Sequence, residues 1–192
     1  MSKVNIAIFA SGEGTNALQI ISKQKKYNYI VKIIVTNNPN SGVIDIARDN
    51  GIFHIVIKDE DIIPFLEKSD IKLIALAGYL KKIPKDIINN FLVLNIHPSL
   101  LPKYGGKGMY GMNVHERVLE NNEEYSGITI HVVNNEYDKG EILMQQKIPV
   151  LKTDTPFSLQ KRLKILEHSH YPFFIHLKSL DLNGSGTDNF YL

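Results

Sequence analysis

Short apolar runs alternate with amphipathic segments through the N-terminal half of the chain. The most apolar runs, each typical of a buried strand, are 4–10, 30–35, 52–57, 73–77 and 91–96. Between them apolar residues recur at helical spacing, and the segment Val43 to Asn50 ends at Gly51, a residue that suits a helix C-terminus. Further helices are expected at 59–68 and in the residues up to Asn90. Strands that alternate with helices predict an α/β fold.

The C-terminal half begins with a different pattern. Residues 126–133 alternate apolar and polar positions, which predicts a half-covered strand with Thr129 and His131 on its polar face. A short polar loop leads to a second strand at 142–150, so these two strands are expected to form an antiparallel pair. A helix capped by Asn113 is predicted before them, and a long helix after them, from about Thr155 to roughly 176. A weakly ordered tail is expected at about 181–192.

Composition narrows the class of protein. At 192 residues, with 43% hydrophobic and 22% charged residues, the chain fits one globular domain, 1–192. The net charge of +2 is too small to favour nucleic acid binding, and the lack of cysteine excludes disulfides and thiol catalysis. No signal-peptide pattern, membrane-length apolar run or metal-ligand spacing is visible. We therefore expect a cytoplasmic protein that binds no nucleic acid, membrane or metal.

A glycine-rich turn follows the first strand. Gly12 and Gly14 allow the backbone to approach a ligand, and the N–H groups at the start of the next helix favour an anion. Thr15 and Asn16 are cap-type residues that can add side-chain hydrogen bonds to phosphate oxygens. These residues predict a phosphate site, and the alternative is a turn that only serves packing.

The same turn matches the pattern G-x-G-x-x-A, so a nicotinamide dinucleotide site is a further alternative. Such a site also needs an acidic residue at the end of the second strand, where it binds the ribose. That strand ends in Thr-Asn-Asn-Pro at 36–39, which contains no Asp or Glu. A single phosphate therefore fits the turn better than a dinucleotide does.

Two polar side chains end the fifth strand, and a third lies in the loop between the last two strands. Asn95 and His97 are two residues apart and so point to the same face. The Asn95 amide can donate to a developing oxyanion, and the His97 imidazole can transfer protons near neutral pH. Asp138 can hold that imidazole in its charged form, which would raise its pKa. The trio suits acyl transfer from a carbonyl donor to an amine, although each residue alone is also typical of a structural hydrogen bond.

Several blocks of the sequence resemble the folate-dependent formyltransferases. In chain order the blocks are Ser11 to Asn16, Asn95 to Pro102, Gly127 to His131 with Tyr137 to Gly140, and Glu167-His168 with Tyr171-Pro172. The first and last of them resemble the members of that family that act on phosphoribosylglycinamide (GAR). The resemblance covers Val4 to about Leu177, and its blocks occur in the family's order.

The resemblance implies both a fold and a reaction. The fold is a mainly parallel, Rossmann-like twisted sheet with helices on both faces and an antiparallel strand pair in the C-terminal part. The reaction is transfer of the formyl group of 10-formyltetrahydrofolate, a co-substrate, to the amine of GAR in purine biosynthesis, with no metal. A phosphate-binding half is implied at about 1–90, and a catalytic and folate-binding half at about 91–180.

The resemblance also implies roles for individual residues. The catalytic residues are Asn95, His97 and Asp138. The GAR-binding residues are Gly12, Gly14, Thr15, Asn16, Lys164 and Glu167. The folate site is formed, mostly through backbone and apolar contacts, by Leu80, Lys81, Lys82, Ile83 and Asn95. Supporting residues that face the site are Thr129 and His131.

Three features depart from the family's commonest form. The segment 58–70 is short and lacks the arginine that this form has near the folate tail. The loop 103–112 is longer and richer in glycine, and Glu13 adds a negative charge beside the expected phosphate.

The open alternatives for the function are another amine acceptor such as an amino-sugar nucleotide, water as the acceptor, and a non-catalytic nucleotide-binding module. The protein is expected to be a monomer or a homodimer.

Overall fold

A computed structural model describes residues 2–58 and 62–184 of the chain. Its strands are β1 (Val4–Phe9), β2 (Tyr29–Thr36), β3 (Phe53–Val56), β4 (Leu73–Leu76), β5 (Leu92–His97), β6 (Tyr125–Val132) and β7 (Ile142–Pro149). Its helices are α1 (Thr15–Lys23), α2 (Val43–Asp49), α3 (Ile63–Lys68), α4 (Lys85–Asn90), α5 (Met112–Glu120) and α6 (Pro156–Leu182). Each predicted strand is present. The start predicted for α3, at 59–61, lies outside the described residues.

The strands form one mixed sheet in the order β3-β2-β1-β4-β5-β6-β7. Strands β1 to β5 are parallel, and β6 pairs antiparallel with both β5 and β7. The predicted fold, a mainly parallel sheet with an antiparallel part near the C-terminus, is confirmed. The strand order reverses between β1 and β4, and open α/β sheets bind ligands beyond the carboxyl ends of such neighbours.

Alternating side chains of the parallel strands divide the core into two layers. Ile6 and Ile8 of β1 share one cluster with residues of α1, α2, α5 and α6, whereas Ala7 and Phe9 share the other with α3 and α4. Helices therefore cover both faces of the sheet, as predicted, and the central strands are apolar on both sides. A polar side chain at the end of such a strand therefore has few hydrogen-bond partners nearby, apart from polar groups at the ends of neighbouring strands.

Helix α5 begins differently from the prediction. Gly111 occupies the N-cap position, and its φ of 58° lies in the region that glycine adopts most readily. Asn113, predicted to be the cap, lies inside the helix and donates its side-chain amide to the Gly108 carbonyl at 3.1 Å. The asparagine thus stabilises the loop before the helix rather than the helix start itself.

Helix α6 is longer than its pattern suggested. It begins after Thr155, which forms a capping box with Ser158, and continues to Leu182 rather than to about 176. Burial extends past Pro172 to Ser179, so packing against the sheet outweighs the loss of one helical hydrogen bond. Of the predicted tail, 185–192 lie outside the described residues. Within the described ranges, no helix has both the length and the apolar character needed to cross a membrane.

Strand β6 is buried on both faces, and the expectation of a half-covered strand is wrong. Thr129 is completely buried, and it donates to the Ser99 carbonyl at 2.6 Å and accepts from the Leu101 N–H at 3.1 Å. Gln145 of β7 also donates to the Thr129 hydroxyl, at 2.9 Å. The loop after β5 folds over this face, so polar residues of β6 are buried where they find partners in the loop.

Candidate active site

A cavity of about 670 Å³ opens at the carboxyl end of the sheet, where the strand order reverses. The segments that follow β1 and β4 line it, namely 12–16 and 77–80, together with the carboxyl end of β5 at 95–98. Its remaining walls are the glycine-rich loop 106–112 and residues of α5, α6 and the β6–β7 loop. The site predicted from separate strand ends is therefore one continuous space, because parallel strands end at the same edge of the sheet.

Asn95, His97 and Asp138 meet at one side of this cavity. Asp138 Oδ1 lies 3.7 Å from His97 Nδ1 and 3.5 Å from Asn95 Nδ2. Its other oxygen, Oδ2, accepts from the Gly106 N–H at 2.8 Å. The antiparallel pairing of β6 with β5 returns the β6–β7 loop to the end of β5, and this brings the carboxylate to the other two residues.

The surroundings of His97 determine its protonation. His97 Nε2 lies 2.7 Å from the main-chain oxygen of Tyr104, and because a carbonyl oxygen can only accept, Nε2 holds the proton. The lone pair of the neutral ring is then on Nδ1, the nitrogen nearer to Asp138.

Burial lowers the pKa of His97, and this effect outweighs the opposite effects of Asp138 and of the Tyr104 carbonyl. His97 is only 5% exposed, so the loss of hydration disfavours its charged form. The prediction that Asp138 keeps the imidazole charged is therefore wrong. The neutral ring predominates at pH 7, and Asp138 only limits the decrease in pKa.

His131 holds the amide of Asn95. The two residues are direct neighbours across the β5–β6 ladder. His131 Nδ1 lies 2.9 Å from the Val132 carbonyl and so carries a proton, which leaves Nε2 to accept from Asn95 Nδ2 at 3.1 Å. Asn95 Nδ2 also lies 3.5 Å from Asp138 Oδ1, so this amide nitrogen has two acceptors within reach. His131 is 2% exposed, so this arrangement is shielded from water.

The glycine-rich turn provides a helix start that opens into the cavity. Gly14 is the N-cap of α1, and no side chain caps this helix, so its first N–H groups are directed to the cavity. Gly14 has a φ of 79°, and a Cβ atom there would lie 2.8 Å from Ile46 Cδ1 and 3.1 Å from Val43 Cα. A Cβ atom on Gly12 would meet no atom within 4 Å. Gly14 is thus required by the fold, whereas the space at Gly12 is open for a ligand.

The Asn16 side chain already forms a hydrogen bond with a residue of α6. Its Nδ2 donates to Glu167 Oε2 at 2.7 Å, and its Oδ1 is buried with no partner among the described residues. Glu167 is 7% exposed, and burial raises its pKa against the opposite effects of Asn16 and Lys164. The sequence predicted an Asn16 side chain that is free to donate to phosphate, and the structure instead joins it to Glu167.

Lys164 lies at the mouth of the cavity, opposite the glycine turn. Its Nζ is 3.6 Å from Glu13 Oε2, and the Glu13 side chain is 81% exposed. An ion pair so exposed contributes little stability, about 0–1 kcal/mol, so an anionic ligand can replace Glu13 as the partner of the ammonium. The carboxylate of Glu13 is therefore largely in solvent, and the phosphate site at the glycine turn stays a prediction.

Comparison with known proteins identifies the family. The sequence profile described as formyl transferase matches residues 4–175, most of the chain. The chain belongs to the formyl transferase family.

Named relatives of this formyl transferase include a plant and a bacterial protein. The chloroplastic phosphoribosylglycinamide formyltransferase of Arabidopsis thaliana is 41% identical over 181 residues, which are 86% of this chain and 62% of the relative. The phosphoribosylglycinamide formyltransferase of Escherichia coli is 31% identical over 186 residues, 90% of this chain and 85% of the relative. The chain thus spans less than two thirds of the plant relative's length.

A solved structure supports the same grouping. The crystal structure of phosphoribosylglycinamide formyltransferase from Anaplasma phagocytophilum superposes with a TM-score of 0.84 at 30% sequence identity. The superposition covers 94% of this chain and 88% of that one. The fold of this formyl transferase is therefore that of its family.

The segment after β4 divides between two cavities in this formyl transferase. Leu80 lines the large cavity, whereas Lys81, Lys82 and Ile83 line a smaller cavity of about 80 Å³ that Asn95 and Asp138 also border. Ile83 is 4% exposed and packs in the core, so little of its side chain faces either space. Lys81 Nζ donates to the Lys58 carbonyl at 2.7 Å. Of the four residues 80–83, Leu80 alone lines the space that holds the polar trio and the glycine turn.

Several residues that line the cavity were not singled out from the sequence, among them Tyr79, Met109, Tyr110, His115, Tyr137 and Gln160. His115 is the most informative. It is 2% exposed on the buried face of α5, and its Nδ1 has no partner among the described residues. Burial, with the nearby His97 and Lys164, lowers its pKa to about 4. The sequence feature that could have identified His115 is its position between Val114 and Val118 on an otherwise apolar helix face.

Among the described residues, no group of three or more His, Asp or Glu side chains is arranged to hold a metal ion. The expectation of a reaction without a metal stays a prediction, because the arrangement of the unliganded chain does not test it.

Proposed function

We propose that this formyl transferase moves a formyl group from 10-formyltetrahydrofolate to the amine of GAR, a step of purine biosynthesis. The Arabidopsis and Escherichia coli relatives are named for that activity. One observation supports the proposal most strongly: a single cavity has an uncapped helix start at one end and Asn95, His97 and Asp138 at the other. GAR has a phosphate at one end and an amine at the other, so its chemistry matches both ends of this cavity.

The phosphate end combines a helix start with a cation. The first N–H groups of α1 donate to the phosphate, and Lys164 exchanges its exposed partner Glu13 for it. Gly12 gives the phosphate room, and Gly14 and Thr15 set the direction of the helix start. Asn16 acts through Glu167, whose second oxygen is available to accept from a hydroxyl group of the substrate.

The trio performs the transfer at the other end. A bond forms between the amine nitrogen and the formyl carbon, the bond from that carbon to N10 of the folate breaks, one proton leaves the amine, and one reaches N10. Asn95 donates to the formyl oxygen as negative charge develops on it, by redirecting the longer of its two hydrogen bonds, the one to Asp138. His97 accepts the amine proton on Nδ1, and Asp138 stabilises the imidazolium that results.

The folate is placed against the segment after β4. Leu80 contributes an exposed apolar side chain, and Lys81, Lys82 and Ile83 contribute mainly backbone beside the smaller cavity. Lys82 Nζ also lies 5.9 Å from the centre of the Tyr137 ring, which links this segment to the loop of Asp138. His131 and Thr129 support the site from β6, through Asn95 and through the loop after β5.

The activity is tested with purified protein. GAR and 10-formyltetrahydrofolate are expected to give formyl-GAR, and Asn95→Ala and His97→Ala are each expected to lower kcat by about 10²–10³-fold. Asn121→Ala serves as a control, because this exposed amide bonds only the local helix end. Wild-type rates in both trio variants would rule out the proposed mechanism.

The alternative acceptors are tested in the same assay. An amino-sugar nucleotide, water and GAR are offered in parallel, with the same formyl donor. Turnover of the amino-sugar nucleotide but not of GAR would replace the proposed substrate, and tight GAR binding with no turnover would favour a non-catalytic module.

Three further predictions belong to this proposal. The chain acts as one domain, 1–192, with the glycine turn of the phosphate site in its first half and the catalytic trio in its second, while the GAR and folate sites draw residues from both halves. It works as a monomer or a homodimer. It is located in the cytoplasm, although the Arabidopsis relative is named as chloroplastic.

A further inference from the structure

Tyr104 joins His97 to a carboxylate outside the cavity. The Tyr104 main-chain oxygen accepts from His97 Nε2 at 2.7 Å, and the Tyr104 hydroxyl donates to Glu123 Oε1 at 2.8 Å. Glu123 lies in the turn between α5 and β6, and its own N–H donates to the Val118 carbonyl at 3.2 Å. An unbroken path of contacts therefore runs from the α5–β6 turn to the imidazole.

The backbone of Tyr104 is in an unfavourable conformation. Its φ is 56°, in the left-handed region, which costs a residue other than glycine of the order of 1 kcal/mol and persists only where neighbouring contacts hold it. The next residue, Gly105, packs closely against the site, because a Cβ atom there would lie 3.2 Å from Asp138 Cβ. The Ser99 hydroxyl, which donates to the Lys103 carbonyl at 2.6 Å, the Gly106 N–H, which donates to Asp138 Oδ2 at 2.8 Å, and the Glu123 carboxylate are among the contacts that hold this part of the loop.

The hydrogen bond between the Tyr104 hydroxyl and the Glu123 carboxylate is kept at neutral pH. Burial, together with the hydrogen bond to Glu123, raises the pKa of the Tyr104 phenol to about 12, so the hydroxyl remains a donor. Hydrogen bonds from Lys103 and Tyr104 lower the pKa of Glu123, so the carboxylate remains an acceptor. Lys103 Nζ bonds the same carboxylate at 2.8 and 2.9 Å, but its side chain is 64% exposed.

We propose that Glu123 is a positioning residue for His97. By anchoring the Tyr104 hydroxyl, Glu123 keeps the Tyr104 carbonyl on His97 Nε2, and this fixes the tautomer in which Nδ1 is the proton acceptor. The role in catalysis rests on the proposed formyl transfer, whereas the tautomer is a property of the free protein. Without the anchor, the loop relaxes from its unfavourable φ, the carbonyl leaves Nε2, and both tautomers of the imidazole become populated.

Four substitutions separate the anchor from general loop stability. Tyr104→Phe removes only the hydroxyl, and Glu123→Ala removes the acceptor. Glu123→Gln keeps an oxygen that accepts from the hydroxyl, so it is expected to behave like the wild type. Lys103→Met is the matched control, because it removes the exposed ion pair to the same carboxylate and leaves the Tyr104–Glu123 bond intact.

Nitrogen-15 spectra of histidine-labelled protein give a readout that does not depend on activity. His97→Gln assigns the His97 signals by their loss. In the wild type, at a pH where the His97 imidazole is neutral, we expect one protonated nitrogen, Nε2, and one unprotonated nitrogen, Nδ1. In Tyr104→Phe and Glu123→Ala we expect the two signals to move toward the average of both tautomers, with no such change in Glu123→Gln and Lys103→Met.

Kinetics then test the consequence. Tyr104→Phe and Glu123→Ala are expected to lower kcat by about 10-fold to 100-fold with KM changed less than about twofold, since a displaced catalytic group affects the reaction more than binding. Thermal unfolding shows whether each variant is folded. Wild-type spectra in Tyr104→Phe and in Glu123→Ala would overturn the proposal. The spectra can change as expected even if neither the wild type nor any variant forms formyl-GAR. In that case the positioning role of Glu123 is supported and the proposed function is rejected.

Discussion

His97 Nδ1 and Asp138 Oδ1 are 3.7 Å apart at the wall of the cavity, both largely shielded from water. His131 Nε2 lies 3.6 Å from the same oxygen. Burial raises the pKa of Asp138, but the neighbouring imidazoles of His131 and His97 and the hydrogen bond from the Gly106 N–H lower it by more, so the side chain is a carboxylate at neutral pH. One negative charge thus faces two buried imidazoles, and it raises the pKa of His97 against the larger opposite effect of burial.

The pH dependence of activity follows from this contact. Burial lowers the pKa of His97 below 6.5, so kcat/KM is expected to fall on the acid side only below that pH, where the ring becomes protonated. Asp138→Asn removes a charge that raises this pKa, and should therefore move the acid limb to still lower pH and lower kcat by about 10²-fold. Rates measured from pH 4.5 to 9 test both statements. Glu136→Gln, an exposed carboxylate of the same loop, is the control, and an acid limb that moves to higher pH in Asp138→Asn would contradict the assignment.

Substitution by alanine should have different effects at the two glycines of the phosphate turn, lowering stability at Gly14 and weakening GAR binding at Gly12. Gly14→Ala puts a Cβ atom 2.8 Å from Ile46 Cδ1 and 3.1 Å from Val43 Cα at a positive φ, and we expect a loss of about 1–3 kcal/mol in the free energy of unfolding. Gly12→Ala meets no atom of the chain, so stability should be unchanged while KM for GAR rises at least about tenfold. Urea unfolding and steady-state kinetics measure the two effects. Equal stability of the two variants would show that the turn is not built as described.

The contact between Asn16 and Glu167 should affect GAR binding more than the chemical step. Glu167→Gln keeps the size of the side chain but removes its charge, and the expected result is a KM for GAR about tenfold higher, with kcat and the KM for the folate nearly unchanged. The folate KM is the internal control. A large decrease in kcat with an unchanged KM for GAR would place Glu167 in the chemical step instead.

His115 should make the fold sensitive to acid. Its pKa is lowered from 6.5 to about 4, so the unfolded chain binds more protons than the folded one between these values. Stability from this group is therefore complete above pH 6.5 and decreases as the pH falls, by up to about 3 kcal/mol at pH 4. His97, His168 and His176 have lowered pKa values as well and act in the same direction.

Urea unfolding at pH 7, 5.5 and 4 isolates the contribution of His115. His115→Gln should lose less stability between pH 7 and 4 than the wild type does. His54→Gln, on the edge strand β3, is a control with the same chemistry at a partly exposed site. A variant at position 115 with the pH slope of the wild type would show that another group causes the sensitivity.

The sequence by itself determined the elements and the chemistry of the strand ends. The apolar runs predicted β1, β2, β4 and β5 because helices cover both faces of these strands and apolar side chains are favoured at most of their positions, whereas the edge strand β3 is apolar but only partly buried. Asn95 and His97 were recognised because they interrupt that pattern at the end of a run. The glycine turn was recognised because a helix start with small residues is a local feature.

The tertiary structure alone decided which partners these residues have. Asn16 bonds Glu167 across most of the chain, and Tyr104 fixes the protonation of His97, neither of which any local spacing shows. Asp138 raises the pKa of His97 as the sequence predicted, but burial lowers that pKa by more, so the net shift has the opposite sign to the one expected from the charge alone. Helix periodicity and strand alternation depend on neighbours in sequence, whereas hydration, register and the pKa of a buried group depend on atoms brought together from distant parts of the chain.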